Sequence, residues 1–294
     1  MSALLVVLGC VSLTLPGLRP SVSLRGDPRW SASLGAAALA LGLGSVVSGL
    51  ALSAGLGVLH LVTGSSLARF DGHLAPGGAA ASVAAGLTLG AMAARSVGLA
   101  RRMSIGTLAA RPEPWLGQHL PGGDHEIVLL PTKVLVAYNV AGSPSQVVVS
   151  EGLVERLGHD LAAAVIDHEA AHLGRRHRRP LVLAALIDAT FGAAAPVRRS
   201  TTVLRLVLER EADEDAAGPD RRRRHRLAAA LERLACESSG PEASFRCREL
   251  RSPPDRGTVW HLVAAGGLAA VAVSGLAVAG HVGSDLPALL ASLG

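Results

Sequence analysis

The sequence predicts an α-helical integral membrane protein, with about four transmembrane helices and a cytoplasmic α+β domain. Three observations carry that prediction. Hydrophobic residues make up 49% of the 294 residues and aromatic ones only 2%, with a mean hydropathy of +0.39. A soluble core of this size would draw more on aromatic side chains. Apolar runs near the roughly 20 residues that a membrane-spanning helix needs fall at both ends of the chain. Between them lies a polar stretch, 100–258, in which a β-rich segment precedes amphipathic helical ones.

The first apolar run, 3–18, is short and is followed by Arg19. It lacks the basic leader and the small-residue cleavage site of a signal peptide, so it reads as a short membrane helix. The second, 31–64, is too long for one upright helix and too short for a helical hairpin. Residues 79–99, rich in Ala and Gly, form the third. Arg19, Arg25 and Arg29 mark the first connection as cytoplasmic, and Arg95, Arg101 and Arg102 mark the same side after the third span. These signals agree when 31–64 crosses once; two crossings would invert the parity. The membrane region is therefore 1–99 and the cytoplasmic domain 100–258. A fourth span follows at 259–282, with a short external tail at 283–294. The expected location is the cell (inner) membrane, multi-pass, with the lipid bilayer as one partner.

Within the cytoplasmic region, His125–Leu130, Lys133–Tyr138 and Gln146–Val149 are β-rich and are broken by Pro131 and Gly142-Ser143-Pro144. They predict two or three short strands packed on the helix that follows. An edge strand there would accept an extended chain by strand addition.

That next helix carries His168-Glu169-Ala170-Ala171-His172. One turn separates the two histidines, so both imidazoles leave the same face and can share one Zn2+. Glu169 sits beside them as the carboxylate that would act on a water. A catalytic zinc needs a third protein ligand. His177, five residues on, would lie about 140° round a continuing helix and point away. A longer pattern with Gly at 175 and His at 178 fails, because Arg175 and Arg178 stand there. The run Glu209-Arg210-Glu211-Ala212-Asp213-Glu214-Asp215 offers two registers of equal geometry: Glu209 with Asp213, or Glu211 with Asp215. In either, one acid would ligate the metal and the other would receive a ligand imidazole's second N–H.

The stretch 180–197, apolar with Asp188 inside it, is not a span. Ligands on either side of it must meet at one ion, which forbids an odd number of crossings, and it is too short to cross twice. It is expected as a core helix or one lying along the membrane surface.

The His168-Glu169-Ala-Ala-His172 motif, followed by Glu209-Arg-Glu-Ala212-Asp213 on a second helix, resembles the gluzincin membrane zinc peptidases. Two branches are relevant, the BlaR/MecR-type antibiotic-sensor metallopeptidases and the HtpX/CAAX-protease type. The Ala212-Asp213 pair selects Glu209 over Glu211. Ala137–Gly142, Val147–Leu153 and the basic stretch His172–His177 are similar to the BlaR/MecR branch, and the resemblance covers residues 125–218. It implies a gluzincin-like zinc peptidase domain with one catalytic Zn2+. His168, His172 and Glu209 would be its metal ligands, Glu169 its catalytic carboxylate and Asp213 the support of a ligand imidazole. The BlaR/MecR branch implies a protein or peptide substrate that is a transcriptional repressor; the HtpX branch implies damaged membrane proteins. The missing pair of spans between the ligand helices favours the former. No penicillin-binding sensor domain follows the fourth span within these residues, so direct β-lactam sensing is not expected. A non-proteolytic zinc-binding sensor or scaffold is the third class, and Glu169 argues against it, since a purely structural metal needs no such base.

The rest of the domain is less informative. Two arginine clusters, 175–179 and 221–226, account for much of the net charge of +5. With no aromatic stacking surface or helix-turn-helix beside them, they fit anionic lipid or solvent better than a direct nucleic-acid partner. His177 and His225 are weak candidates to stabilise an oxyanion. Cys10, Cys236 and Cys247 have no metal-site spacing, and a Cys236–Cys247 pair in a cytoplasmic domain would stay reduced. The proline-bearing stretch 237–257 is expected as a loop leading to the last span.

Overall fold

Among the residues described in the computed structural model, a helical hairpin and a third long helix form the N-terminal part, and a small sheet and six further helices follow. The structure describes residues 2–18, 20, 24, 26–63, 78–110, 112, 116–235 and 241–252. The expected fourth span and external tail lie outside the described residues, as does Cys236; Cys247 and Cys10 are free thiols.

Helix α1 (Ser2–Leu18) runs back along α2 (Pro28–Thr63), which is one continuous helix of 36 residues. Small residues let the two backbones approach closely. A Cβ on Gly9 would lie 2.7 Å from the Gly42 carbonyl, and Ser12 Oγ donates to the Ala38 carbonyl at 2.8 Å. At 1.5 Å per residue α2 is about 54 Å long, well beyond a hydrocarbon core of about 30 Å. Helix α3 (Gly78–Ala110) packs on α2 and continues past the expected end at residue 99, carrying Arg101 and Arg102 within it. By length and composition, Pro28–Leu59 and Ala79–Ser104 are long and apolar enough to cross a membrane; Ser2–Leu18 is a shorter apolar helix.

The run 125–150 holds three strands, within the two or three expected, and a further strand before it makes a four-stranded sheet among the described residues. Its strands are β1 (Gln118–Pro121), β2 (Glu126–Leu130), β3 (Ala137–Val140) and β4 (Gln146–Ser150), in the order β1-β2-β4-β3, with β2 and β4 parallel and the other pairs antiparallel. β4 is buried at every position. It leads into α4 (Glu151–Leu157), which Ser150 caps by accepting from the Leu153 N–H. Ser150 N–H donates to the Val136 carbonyl, so residues 136, 138 and 140 bond to β4. The backbone groups of Ala137 and Asn139 therefore face away from the sheet, on its open edge.

Gly158, at φ 79°, turns the chain into α5 (His159–Gly174), the helix of the two motif histidines. Then come α6 (Arg178–Phe191), α7 (Ala195–Ala217), α8 (Arg221–Ala235) and α9 (Pro241–Arg251). α6 resolves the choice left open for 180–197: Ala184 and Ile187 are wholly buried, so it is a core helix, and the chain reverses at Gly192. Asp188, the acid in that apolar stretch, accepts from Thr201 Oγ1 and Arg205 Nη2, both at 2.6 Å and both on α7. One core gathers Leu13 of α1, Leu39 and Val46 of α2, Ile187 of α6 and Leu204 and Val207 of α7. Packing thus runs across the boundary drawn at residue 100.

The expected loop at 237–257 is corrected in part. Residues 241–251 form α9, because the prolines sit at its ends, not inside it. Pro241 opens the helix where no N–H is needed, Glu242 lies in the first turn, and Arg248 and Arg251 lie in the last, as the helix dipole favours. The second arginine cluster is also not uniformly a surface. Arg224 is buried, pairs with Glu214 at 2.6 Å, and donates to the carbonyls of Glu249, Leu250 and Ser252 at the end of α9. Arg210, 2% exposed, joins three parts of the chain: it donates to the Leu24 and Gly26 carbonyls between α1 and α2, and pairs with Glu249 of α9 at 3.1 Å.

Candidate metal centre

Helices α5 and α7 pack against each other and bring three ligand atoms together. His168 Nε2 and His172 Nε2 lie 3.2 Å apart. Glu209 Oε2 is 3.4 Å from the first and Glu209 Oε1 3.5 Å from the second. With one atom from each residue, the three lie within 4.8 Å of one another, which small side-chain rotations would close to the roughly 3.3–3.5 Å between ligands of tetrahedral zinc. The donor set also has the right chemistry, two imidazoles and one carboxylate, so these residues fit a zinc ion. Both histidine side chains are 8% exposed and Glu209 is 34% exposed, so the centre opens to its surroundings on the carboxylate side.

Each imidazole is held from behind. Asp213 Oδ1 lies 3.0 Å from His168 Nδ1, which leaves Nε2 for the centre. Asp213 is in turn clamped by Arg246 of α9, with Nη2 to Oδ1 at 2.6 Å and Nε to Oδ2 at 2.8 Å. Arg246 Nη1 also reaches Glu209 Oε2 at 2.8 Å. Sequence reasoning missed Arg246, because it stands in the stretch taken for a loop; the helix signals around Pro241 would have found the element.

His177 is the second correction. It does not point away: it is 2% exposed, and its Nδ1 lies 2.9 Å from His172 Nδ1. An offset of about 140° holds only for a helix that runs on past Gly174. Instead α5 ends in a Schellman motif, with Arg176 left-handed at φ 55°, Arg176 N–H donating to Leu173 O and His177 N–H to His172 O. That geometry folds the residue at 177 back over the residue at 172. Glycine normally marks this left-handed position, and an arginine there hides the signal. His177 Nε2 continues to Glu211 Oε2 at 3.3 Å.

Glu169, the residue after the first histidine, is contacted by Asn139 Nδ2 of β3 at 2.5 Å. This puts the open edge of the sheet beside the candidate base. The remaining acids are used elsewhere. Asp215 binds Arg175 at 2.5 and 3.0 Å and Arg29 at 3.0 Å, tying the end of α5 and the start of α2 to α7. His225 lines a different cleft, with Arg221 and Arg251, and is not near the centre.

Burial would lower the His168 pKa, but its hydrogen bonds to Asp213 and Glu209 outweigh burial and lift it to about 9. Burial takes His172 down to about 4, assisted by the neighbouring His168, His177 and Arg246 and opposed by Glu209. Burial works against ionised Asp213, yet the Arg246 bonds hold its carboxyl down at about 2. Glu209 is held below its ordinary value by His168 and Arg246 in the same way, again against burial. Asp213 and Glu209 stay ionised, and their charge is matched by Arg246, whose Nη2 also lies 3.3 Å from His168 Nε2, and by the proton on His168, which a metal ion would have to displace.

In a comparison with family models, residues 117–253, just under half of the chain, match peptidase family M48. M48 peptidases are zinc metalloproteases. The match is to the family and selects neither branch named above. Comparison with curated proteins and with solved structures gives no match.

Proposed function

We propose that this chain, through its M48 peptidase domain, is a membrane-anchored zinc endopeptidase that hydrolyses peptide bonds of a cytoplasmic protein at the inner face of the cell membrane. The observation that carries this reading is the convergence of His168, His172 and Glu209 with Glu169 beside them and an open strand edge alongside. Held there, zinc supplies Lewis acidity, polarising a scissile carbonyl and acidifying a water near neutral pH. Glu169 takes the attacking water's proton and hands it to the leaving amine. Asn139 fixes the direction of the Glu169 carboxylate, and Asp213 fixes the tautomer of His168. A substrate segment lies extended along β3, bonded to the outward groups of Ala137 and Asn139.

Of the two branches, the sensor type is favoured by α6, a single short helix folded into the core between the two ligand helices, with no crossing there. Its substrate is then a transcriptional repressor, not damaged membrane proteins. A scaffold that merely holds zinc is disfavoured by the Asn139–Glu169 contact, since positioning that carboxylate serves no structural metal.

The test is purification of wild type, Glu169→Gln and Glu209→Ala in detergent, with metal content and peptide cleavage measured on each. Stoichiometric zinc is expected in the first two and at least tenfold weaker zinc binding in the third, with cleavage in the first alone. Zinc at full occupancy in Glu209→Ala would remove Glu209 from the ligand set. Zinc with no cleavage of any candidate, the chain itself included, would favour the scaffold.

A further inference from the structure

We infer that His177 and Glu211 are positioning residues for the metal centre, forming a two-residue relay that fixes the tautomer and tilt of His172 as Asp213 does for His168. The inference rests on the metallopeptidase reading and deepens it. Its basis is hydrogen-bond bookkeeping among buried groups. His172 presents Nε2 to the centre, so that nitrogen must keep its lone pair and the ring hydrogen must sit on Nδ1. His172 Nδ1 then donates to His177 Nδ1, 2.9 Å away. His177, accepting at Nδ1, carries its own hydrogen on Nε2 and donates it to Glu211 Oε2 at 3.3 Å. One arrangement of hydrogens satisfies every nitrogen, and it ends on a carboxylate.

The backbone is built to support it. The Schellman turn after α5 places His177 over His172, and it does so with a non-glycine residue at φ 55°, a conformation that L side chains rarely adopt. Glu211 stands two residues beyond Glu209 on α7, so the same helix supplies a metal ligand on one face and the end of the relay on another. Glu211 and Asp215, equal to Glu209 and Asp213 by spacing alone, thus have separate tasks: Glu211 stands behind His172, while Asp215 holds arginines. His172 and His168 are braced from different sources, which lets α7 fix both imidazoles at once.

The test uses the full chain in detergent micelles with Co2+ as the probe, read by its visible ligand-field bands and by metal affinity. Wild type should bind one Co2+ per chain. His177→Phe keeps a ring but offers no acceptor, and it should weaken binding about 10–100-fold and shift the bands. Glu211→Gln keeps an acceptor oxygen and should stay within about threefold of wild type, whereas Glu211→Leu should lose more than that. The double variant His177→Phe/Glu211→Leu should be no weaker than His177→Phe alone, because the relay is already broken. A simple packing role would make the two losses add, and that result would overturn the relay. Unchanged affinity and bands in His177→Phe would overturn it too, leaving the metallopeptidase reading intact. A wild type that binds no Co2+ would overturn both. Should His177→Phe fail to fold, Glu211→Leu against Glu211→Gln decides: equal affinities refute the relay, and a loss confined to leucine supports it.

Discussion

Asp213 is fully enclosed between His168 and Arg246, and its ionisation couples the centre to folding. Its carboxyl is held at about 2 in the folded chain, below the ordinary 3.8. A carboxyl depressed on folding contributes stability that is complete above its unfolded value and is lost as pH falls through the folded one. Thermal midpoints of the metal-free chain should therefore drop between about pH 4 and pH 2, by an amount worth about 2 kcal/mol. Asp213→Asn should begin lower at neutral pH and fall less steeply in acid. An acid slope identical to wild type would assign the effect to other carboxylates. At this scale the spacing of side chains was readable wherever the helix ran on regularly: the intervals 168–172 and 209–213 put both pairs where they are found. His177 was misjudged because a left-handed Arg176 ends the regularity, and Asn139 carried no signal because its partner Glu169 is remote in sequence.

Strands and helices show a similar division. The β-rich run and the apolar helix at 180–197 were legible from alternation, breakers and length, whereas β1 was not, since Gln118–Pro121 is exposed and has no hydrophobic pattern of its own. It exists because Leu129 and its neighbours in β2 offer it a ladder. α9 was hidden by reading its bounding prolines as breakers inside a loop, although Pro at a first position starts a helix. The open edge of β3 gives a test of substrate alignment. Ala137→Pro removes an N–H that faces away from β4, so the sheet should survive and zinc content should not change. Cleavage of a protein substrate should fall at least tenfold if the chain is bound there as an added strand. Full activity in this variant would reject strand addition at β3.

The molecule as a whole is less divisible than its composition implies. Hydropathy separates membrane-type runs from a polar domain, but it cannot show that α6 and α7 bury their apolar faces on α1 and α2. Gly17 of α1 lies close against α7 in that contact. Its N–H donates to Ser200 Oγ at 2.9 Å, and a Cβ there would lie 2.8 Å from the Pro196 carbonyl and the Ser200 nitrogen. Gly17→Ala should force α1 off α7 and cost about 1–3 kcal/mol, seen as a lower thermal midpoint. Because Glu209 lies on the same helix, zinc should also be lost more readily on dialysis. An unchanged midpoint would mean that the hairpin docks more loosely than the geometry indicates.

Arg210 and Arg246 also set an order in time. A ribosome releases the α1–α2 connection first, both ligand helices later, and α9 after them. A nascent chain that has reached residue 240 already holds His168, His172, Glu209 and Glu169. It does not yet hold Arg246, which clamps Asp213 and Glu209, or Glu249, which answers Arg210. The candidate metal centre is complete in its parts before it is rigid, and a helix that emerges after both ligand helices is the one that locks it.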